Sequence, residues 1–143
     1  MLTSEQRHFL DSRPVGHLAT VDKASMPHVV PVCFALANES VYITIDQKAK
    51  RTNRPLQRVK NIQANSSVAL VVDKYDDDWT LLGWVMLRGC AEIIESGAEH
   101  DSAQRLLRER YPQLRAMRIE SLSVIAIRVE NVSAWGNLQP SPR

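Results

Sequence analysis

The sequence predicts a mainly β domain: a six-stranded antiparallel barrel, closed or nearly closed, with peripheral helices at its connections. Three observations carry that reading. Near the N-terminus, apolar and β-branched runs follow one another across short turns, which requires antiparallel pairing rather than a doubly wound α/β sheet. Six such runs fit into 143 residues, a length that predicts a single domain spanning residues 1–143. The runs are so apolar that exposed sheet edges would be a liability, and closure removes them.

Each element has its local cause. Thr3 and Gln6 have capping-box spacing, Phe9 and Leu10 give the first helix an apolar face, and Pro14 ends it. Residues 15–21 read as a strand bounded by turn residues 22–27. Residues 28–36 form a second, nearly all-apolar strand; residues 37–40 turn the chain, and residues 41–46 form the third. Pro31 stands within the second strand, where it donates no ladder bond, so that strand is an edge or is bulged. A bulge would free backbone groups for a planar heterocycle such as a flavin; an ordinary edge strand needs no ligand.

Residues 47–60 carry Lys48, Lys50, Arg51, Arg54, Arg58 and Lys60 and no acid. Pro55 suits the first turn of a helix whose apolar positions are Leu56, Val59 and Ile62. Lys48, Lys50 and Arg51 therefore precede a helix N-terminus near Asn53. Cationic side chains, free N–H groups and the helix dipole together make a phosphate site. A solvated basic helix face shows the same pattern. Residues 68–73 are the fourth strand, followed by an acidic tip, Asp76, Asp77 and Asp78, that ends in Trp79. Residues 81–95 make a long fifth strand, weakened or bent at Gly83 and Gly89. Residues 99–110 are an amphipathic helix with Ala103, Leu106, Leu107 and Arg110 on one side, stopped before Pro112. Residues 122–132 are the sixth strand, and residues 135–143 a surface tail. Trp84 reads as core, Trp79 as a stacking or interface residue, and Trp135 as either. His17 and His28 read as strand residues on a polar face.

Composition excludes several functions. A net charge of +2 argues against a wholly basic nucleic-acid binder. The basic run also lacks the interleaved aromatics that single-strand binders use. Cys33 and Cys90 sit in apolar runs and read as buried thiols in a reducing compartment. The N-terminus has no apolar signal region, and no run approaches the roughly 20 residues of a bilayer span, so a soluble, cytoplasmic protein is expected. No dinucleotide or Walker glycine pattern, zinc-enzyme histidine spacing or nucleophile elbow is present. The chemistry is therefore expected from a bound organic cofactor, with no metal.

Several segments, in order and spacing, resemble the pyridoxamine 5'-phosphate oxidase-like FMN-binding split-barrel superfamily. They are residues 15–22, 27–34 and 41–46, then Lys48-Ala49-Lys50-Arg51, Asn61-Ile62 with Asn65, residues 68–73, and Arg88-Gly89-Cys90-Ala91. The Tyr75-Asp76-Asp77-Asp78-Trp79 tip and the Lys-x-Lys-Arg run resemble the subgroup that uses the deazaflavin coenzyme F-420. The resemblance implies a homodimer with cofactor sites at the subunit interface. By position, Lys48, Lys50 and Arg51 would hold the cofactor phosphate beside Asn53. Pro31, Val32 and Cys33 would lie along the ring, Thr44, Ile45 and Asp46 would flank it, and Trp79 would approach from the second chain. Pro31 stands where some relatives have Asn, so a side-chain amide contact is lost there.

The function expected is hydride transfer between bound F-420 and a small conjugated acceptor, with no catalytic residue assigned; solvent or His28 could supply a proton. FMN on the same barrel is the nearer alternative. Arg54, Arg58 and Lys60 suit the longer anionic tail of F-420. A non-catalytic carrier of a cofactor, haem or another tetrapyrrole is the alternative of a different class.

Overall fold

The computed structural model describes residues 1–45 and 56–140. Helix α1 (Ser4–Ser12) starts at the expected capping box, with Thr3 Oγ1 accepting from the Gln6 N–H and the Gln6 side chain accepting from the Thr3 N–H. Seven strands follow in one antiparallel sheet: β1 (Gly16–Val21), β2 (Pro27–Val32), β3 (Ala35–Ala37), β4 (Ser40–Thr44), β5 (Ser67–Lys74), β6 (Gly83–Ile94) and β7 (Val124–Gly136). Helix α2 (Gln57–Ala64) precedes β5; α3 (Ala98–Arg110) and the short α4 (Pro112–Arg115) lie between β6 and β7.

The strand order, β2-β1-β5-β6-β7-β4-β3, fixes the shape. Strands β2 and β3 are opposite edges, yet only Cys33 and Phe34 separate them in sequence. Two intervening residues reach at most about 11 Å between flanking Cα atoms. A flat sheet of seven strands would hold its edges about 29 Å apart. The sheet must therefore curl until its edges nearly meet, which is a split barrel with its seam at Cys33–Phe34. The expected six strands become seven for this reason. The run 28–36 is continuous in hydrophobicity, but its two halves serve opposite edges and break where the chain crosses the seam.

The seam explains other departures. Cys33 is exposed because it lies in the crossover, and Cys90 is half-buried on the outer face opposite Ser67; neither is the buried thiol expected. Pro31 marks an edge strand, not a bulge: the β1–β2 register runs without a shift from Gly16↔Val32 to Val21↔Pro27. The bulge lies instead between Arg88 and Gly89 against β7, near one of the two glycines expected to bend this strand. Strand β7 continues to Gly136, and Leu138 is buried, so the start of the expected surface tail belongs to the sheet and core. His17 and His28 occupy opposite faces, since pairing sets His28 across from inward Thr20. Helix α2 begins at Gln57, not near Asn53.

Two apolar layers flank the sheet. The barrel interior packs Phe9, Leu10, Leu18, Phe34, Ile43, Leu70 and Leu87. Outside, α3 and α4 cover β3, β4 and β7 through Ala103, Leu107, Tyr111 and Leu114 against Ala35, Tyr42 and Ala126. Among the described residues, no helix covers the remaining outer face, around His17, Val71, Trp84 and Met86; Trp84 is half-buried there rather than in the core.

Glu99 tethers α3 to the sheet. Arg128 donates to both its carboxylate oxygens, and the Tyr42 hydroxyl donates to Oε2. These bonds hold the Glu99 carboxyl down to about 2, Arg128 contributing most. A depressed native pKa stabilises the fold above the ordinary carboxylate range, and that gain is lost as pH falls from about 4.5 toward 2. Glu99 is 40% exposed, so the gain is at most about 1 kcal/mol after solvent screening. Glu99→Gln should flatten stability against pH in this window in urea titrations. A slope unchanged from wild type would remove Glu99 from the acid response.

Candidate functional site

The seam creates a cavity of about 220 Å³ lined by Val15, Pro31, Val32, Cys33, Ile43, Thr44, Arg58 and Leu114. Its walls follow from the pairing. Among the described residues, strand β2 is paired only on its β1 side. Strand β3 leaves β4 after the Ala35↔Tyr42 pair, while β7 continues along the other side to Thr44↔Val124. The edges of β2 at Pro31–Val32 and of β4 at Ile43–Thr44 therefore face the cavity without a strand between them. A slit bordered by two open strand edges offers backbone donors and acceptors to a flat ligand. Val15, Ile43 and Leu114 add apolar surface, and Arg58 supplies a cation from α2.

Helix α3 fixes the seam from outside. Arg110 donates to the carbonyls of Phe34 (2.7 Å), Leu10 (2.9 Å) and Arg13. Its guanidinium stacks 4.5 Å from the Phe34 ring centroid. The Tyr111 hydroxyl accepts from the Phe34 N–H at 3.0 Å and lies 2.9 Å from both the Phe34 and the Pro14 carbonyl, which share its one hydrogen. Burial pushes the Tyr111 phenol above its ordinary pKa, which keeps that donor protonated. Thus both backbone groups of Phe34 are held beside the cavity.

Of the residues expected at a cofactor site, the structure brings Pro31, Val32, Cys33 and Thr44 into this one cavity. Ile45 is buried and instead lines a second cavity, of about 540 Å³, between α2 and β6. Asp46, Lys48, Lys50, Arg51 and Asn53 lie outside the described residues. Trp79 is 70% exposed and lines a different groove with Trp135, Leu82 and Gln139. His28 lines none of these cavities.

Sequence reasoning missed Val15, Ile43, Leu114, Gln104, Arg110 and Tyr111 as parts or supports of the site. A signal existed for α3: His100, Gln104, Leu107 and Tyr111 recur at helical spacing on its buried stripe, and two of them are polar. Buried polar side chains on a core-facing stripe mark hydrogen-bonded supports.

The comparisons agree with this geometry. A family described as pyridoxamine 5'-phosphate oxidase matches residues 2–136. A 5a,11a-dehydrotetracycline/5a,11a-dehydrooxytetracycline reductase of Streptomyces rimosus is 27% identical over 135 residues, covering 94% of this chain and 82% of the relative. A solved structure named F420 Reductase is 27% identical with a TM-score of 0.62, covering 87% of this chain and 93% of that one. The conserved hypothetical protein Rv2991 of Mycobacterium tuberculosis superposes with a TM-score of 0.76 at 22% identity, covering 95% of this chain and 85% of the other. That last likeness shows the fold alone.

Proposed function

Since the chain belongs to the pyridoxamine 5'-phosphate oxidase family, we propose that it is an oxidoreductase whose seam cavity holds the ring of coenzyme F-420. The observation that carries this reading is the convergence of Pro31, Val32, Cys33 and Thr44 on one slit between open strand edges. The two reductases among its relatives support the reaction class.

The residues suit the group. Open backbone edges match the alternating donors and acceptors of a flavin-type ring. Val15, Val32 and Ile43 exclude water from the ring face. Lys48, Lys50 and Arg51, with Asn53, would hold the phosphate, and Asp46 would flank the ring. Arg58, with Arg54 and Lys60, would bind the anionic tail. When bound, a reduced deazaflavin supplies a hydride to a conjugated acceptor; the chain's part is to orient the reacting atoms and stabilise developing charge. FMN is the alternative occupant.

A volume of about 220 Å³ is below the roughly 300–1,000 Å³ of a complete small-molecule site. That volume supports a reading in which one chain supplies part of the site and a second copy completes it. The uncovered face of Val71, Trp84 and Met86 provides the surface for that homodimer, and Trp79 reaches the partner's site.

Titration of the purified protein with F-420 and FMN tests the proposal. Saturable binding of F-420 is expected. Binding of neither sinks the reading, and binding of haem alone would point to a carrier. Arg54→Ala with Arg58→Ala should weaken F-420 at least tenfold more than FMN. Equal losses would remove the tail assignment.

A further inference from the structure

We propose that Gln104 is a positioning residue that commits the Thr44 hydroxyl to donate a hydrogen bond into the seam cavity. Gln104 belongs to α3 and is 2% exposed. Its Nε2 lies 3.0 Å from Thr44 Oγ1, 2.8 Å from the Ile119 carbonyl and 3.1 Å from the Leu122 carbonyl. The two carbonyls decide which end of the amide faces them. Turned around, Oε1 would oppose two oxygens that have no hydrogen to give. The amide has two hydrogens for these three acceptors; His100 Nε2, 2.7 Å from the Leu122 carbonyl, serves that carbonyl, so the amide donates to Ile119 and to Thr44, and Thr44 Oγ1 accepts.

The consequence is directional. A hydroxyl carries one hydrogen besides its acceptor lone pairs. With the acceptor side facing Gln104, that hydrogen points away from the amide. Thr44 is buried, lines the seam cavity and sits on the open edge of β4. A buried donor needs an acceptor. The cavity is where a ligand can bring one: a carbonyl oxygen or an unprotonated ring nitrogen at the rim of a planar heterocycle. Gln104 touches no ligand in this scheme and acts through Thr44. It thereby links α3, on the outer layer, to ring recognition at the seam, a role separate from the carbonyls that it also holds.

The proposal rests on the cofactor reading above, and a double-mutant cycle separates the two. Dissociation constants for F-420 and FMN would be measured by fluorescence titration for wild type, Thr44→Val, Thr44→Ser, Gln104→Met and the Val/Met double variant, with circular dichroism melts as folding controls. Thr44→Val should weaken binding about tenfold, the effect of one lost hydrogen bond. Thr44→Ser should stay within about twofold of wild type. Gln104→Met should weaken binding about fivefold, and the double variant should be no weaker than Thr44→Val alone. The absorption maximum of the bound probe should move toward its free value in Thr44→Val and in Gln104→Met, a shift that loss of packing alone would not produce.

Losses that multiply in the double variant, or Thr44→Val binding like wild type, overturn the proposal while leaving the cofactor reading intact. Binding of neither probe by wild type overturns both. Should Gln104→Met fail to fold, the Thr44 pair decides: a tenfold gap between Val and Ser supports the donor role, and equal affinities overturn it.

Discussion

Arg110→Met is expected to lower the stability of the protein by about 3 kcal/mol. The guanidinium supplies hydrogen bonds to three carbonyls, on Leu10, Arg13 and Phe34, drawn from the end of α1 and the seam crossover. It also covers the Phe34 and Tyr111 rings, with centroids at 4.5 and 5.1 Å. Methionine retains much of the stem's apolar contact but none of the donors, so the carbonyls lose their charged partner where water has poor access. Each stranded acceptor costs about 1–3 kcal/mol, and the losses are not additive because Tyr111 still holds Phe34. For a chain of this size the loss corresponds to roughly a 10 °C fall in melting temperature. Calorimetry checks it, and a melting point within about 2 °C of wild type would show that Arg110 does not hold the seam. Arg110→Lys should recover less than half of the loss, because one ammonium cannot span three acceptors.

Gly89→Ala should be more damaging still, at about 4 kcal/mol or more. Gly89 is at the bulge, where β6 and β7 shift register between Arg88↔Asn131 and Gly89↔Val129, leaving Glu130 as the extra residue. A Cβ placed there would be 1.9 Å from the Arg128 carbonyl oxygen and 3.2 Å from the Glu130 nitrogen. Both are backbone atoms of the paired strand, so the strand itself must move. Against a typical total stability of about 5–15 kcal/mol, such a loss removes about a quarter to four-fifths of the margin. Gly97 is the control. Its φ of 107° strains an alanine, but nothing lies within 4 Å of the added Cβ, so Gly97→Ala should cost only about 1–2 kcal/mol. Urea denaturation of the two variants gives the comparison. Equal losses would show that close approach at the bulge is not what requires glycine.

The barrel was legible because its causes are local. The capping box at Thr3, the proline before β1 and the turn at 37–40 act within a few residues, and so does the apolar stripe of α3. Asn38 adopts a left-handed φ of 55° in that turn, as asparagine readily does. The candidate site was only partly legible. Pro31, Val32, Cys33 and Thr44 were placed by resemblance, and the structure assembles them. Gln104, Arg110 and Tyr111 were missed as supports because their partners lie 60 to 100 positions away in sequence. Trp84 was misread as core because a sheet strand looks the same from sequence whether or not a helix covers its outer face.

By itself, then, the sequence determined an antiparallel, mainly β architecture and narrowed Pro31 to an edge strand or a bulge. Periodicity and turn chemistry act at short range, so a linear reading captures them. Tertiary structure alone decided that the run 28–36 divides across the seam, and that this division opens a slit walled by two strand edges. It also decided which hydrogen bonds from α3 hold that slit in shape. Barrel closure brings the two edges of a seven-stranded sheet together, and no local pattern encodes which residues then face one another.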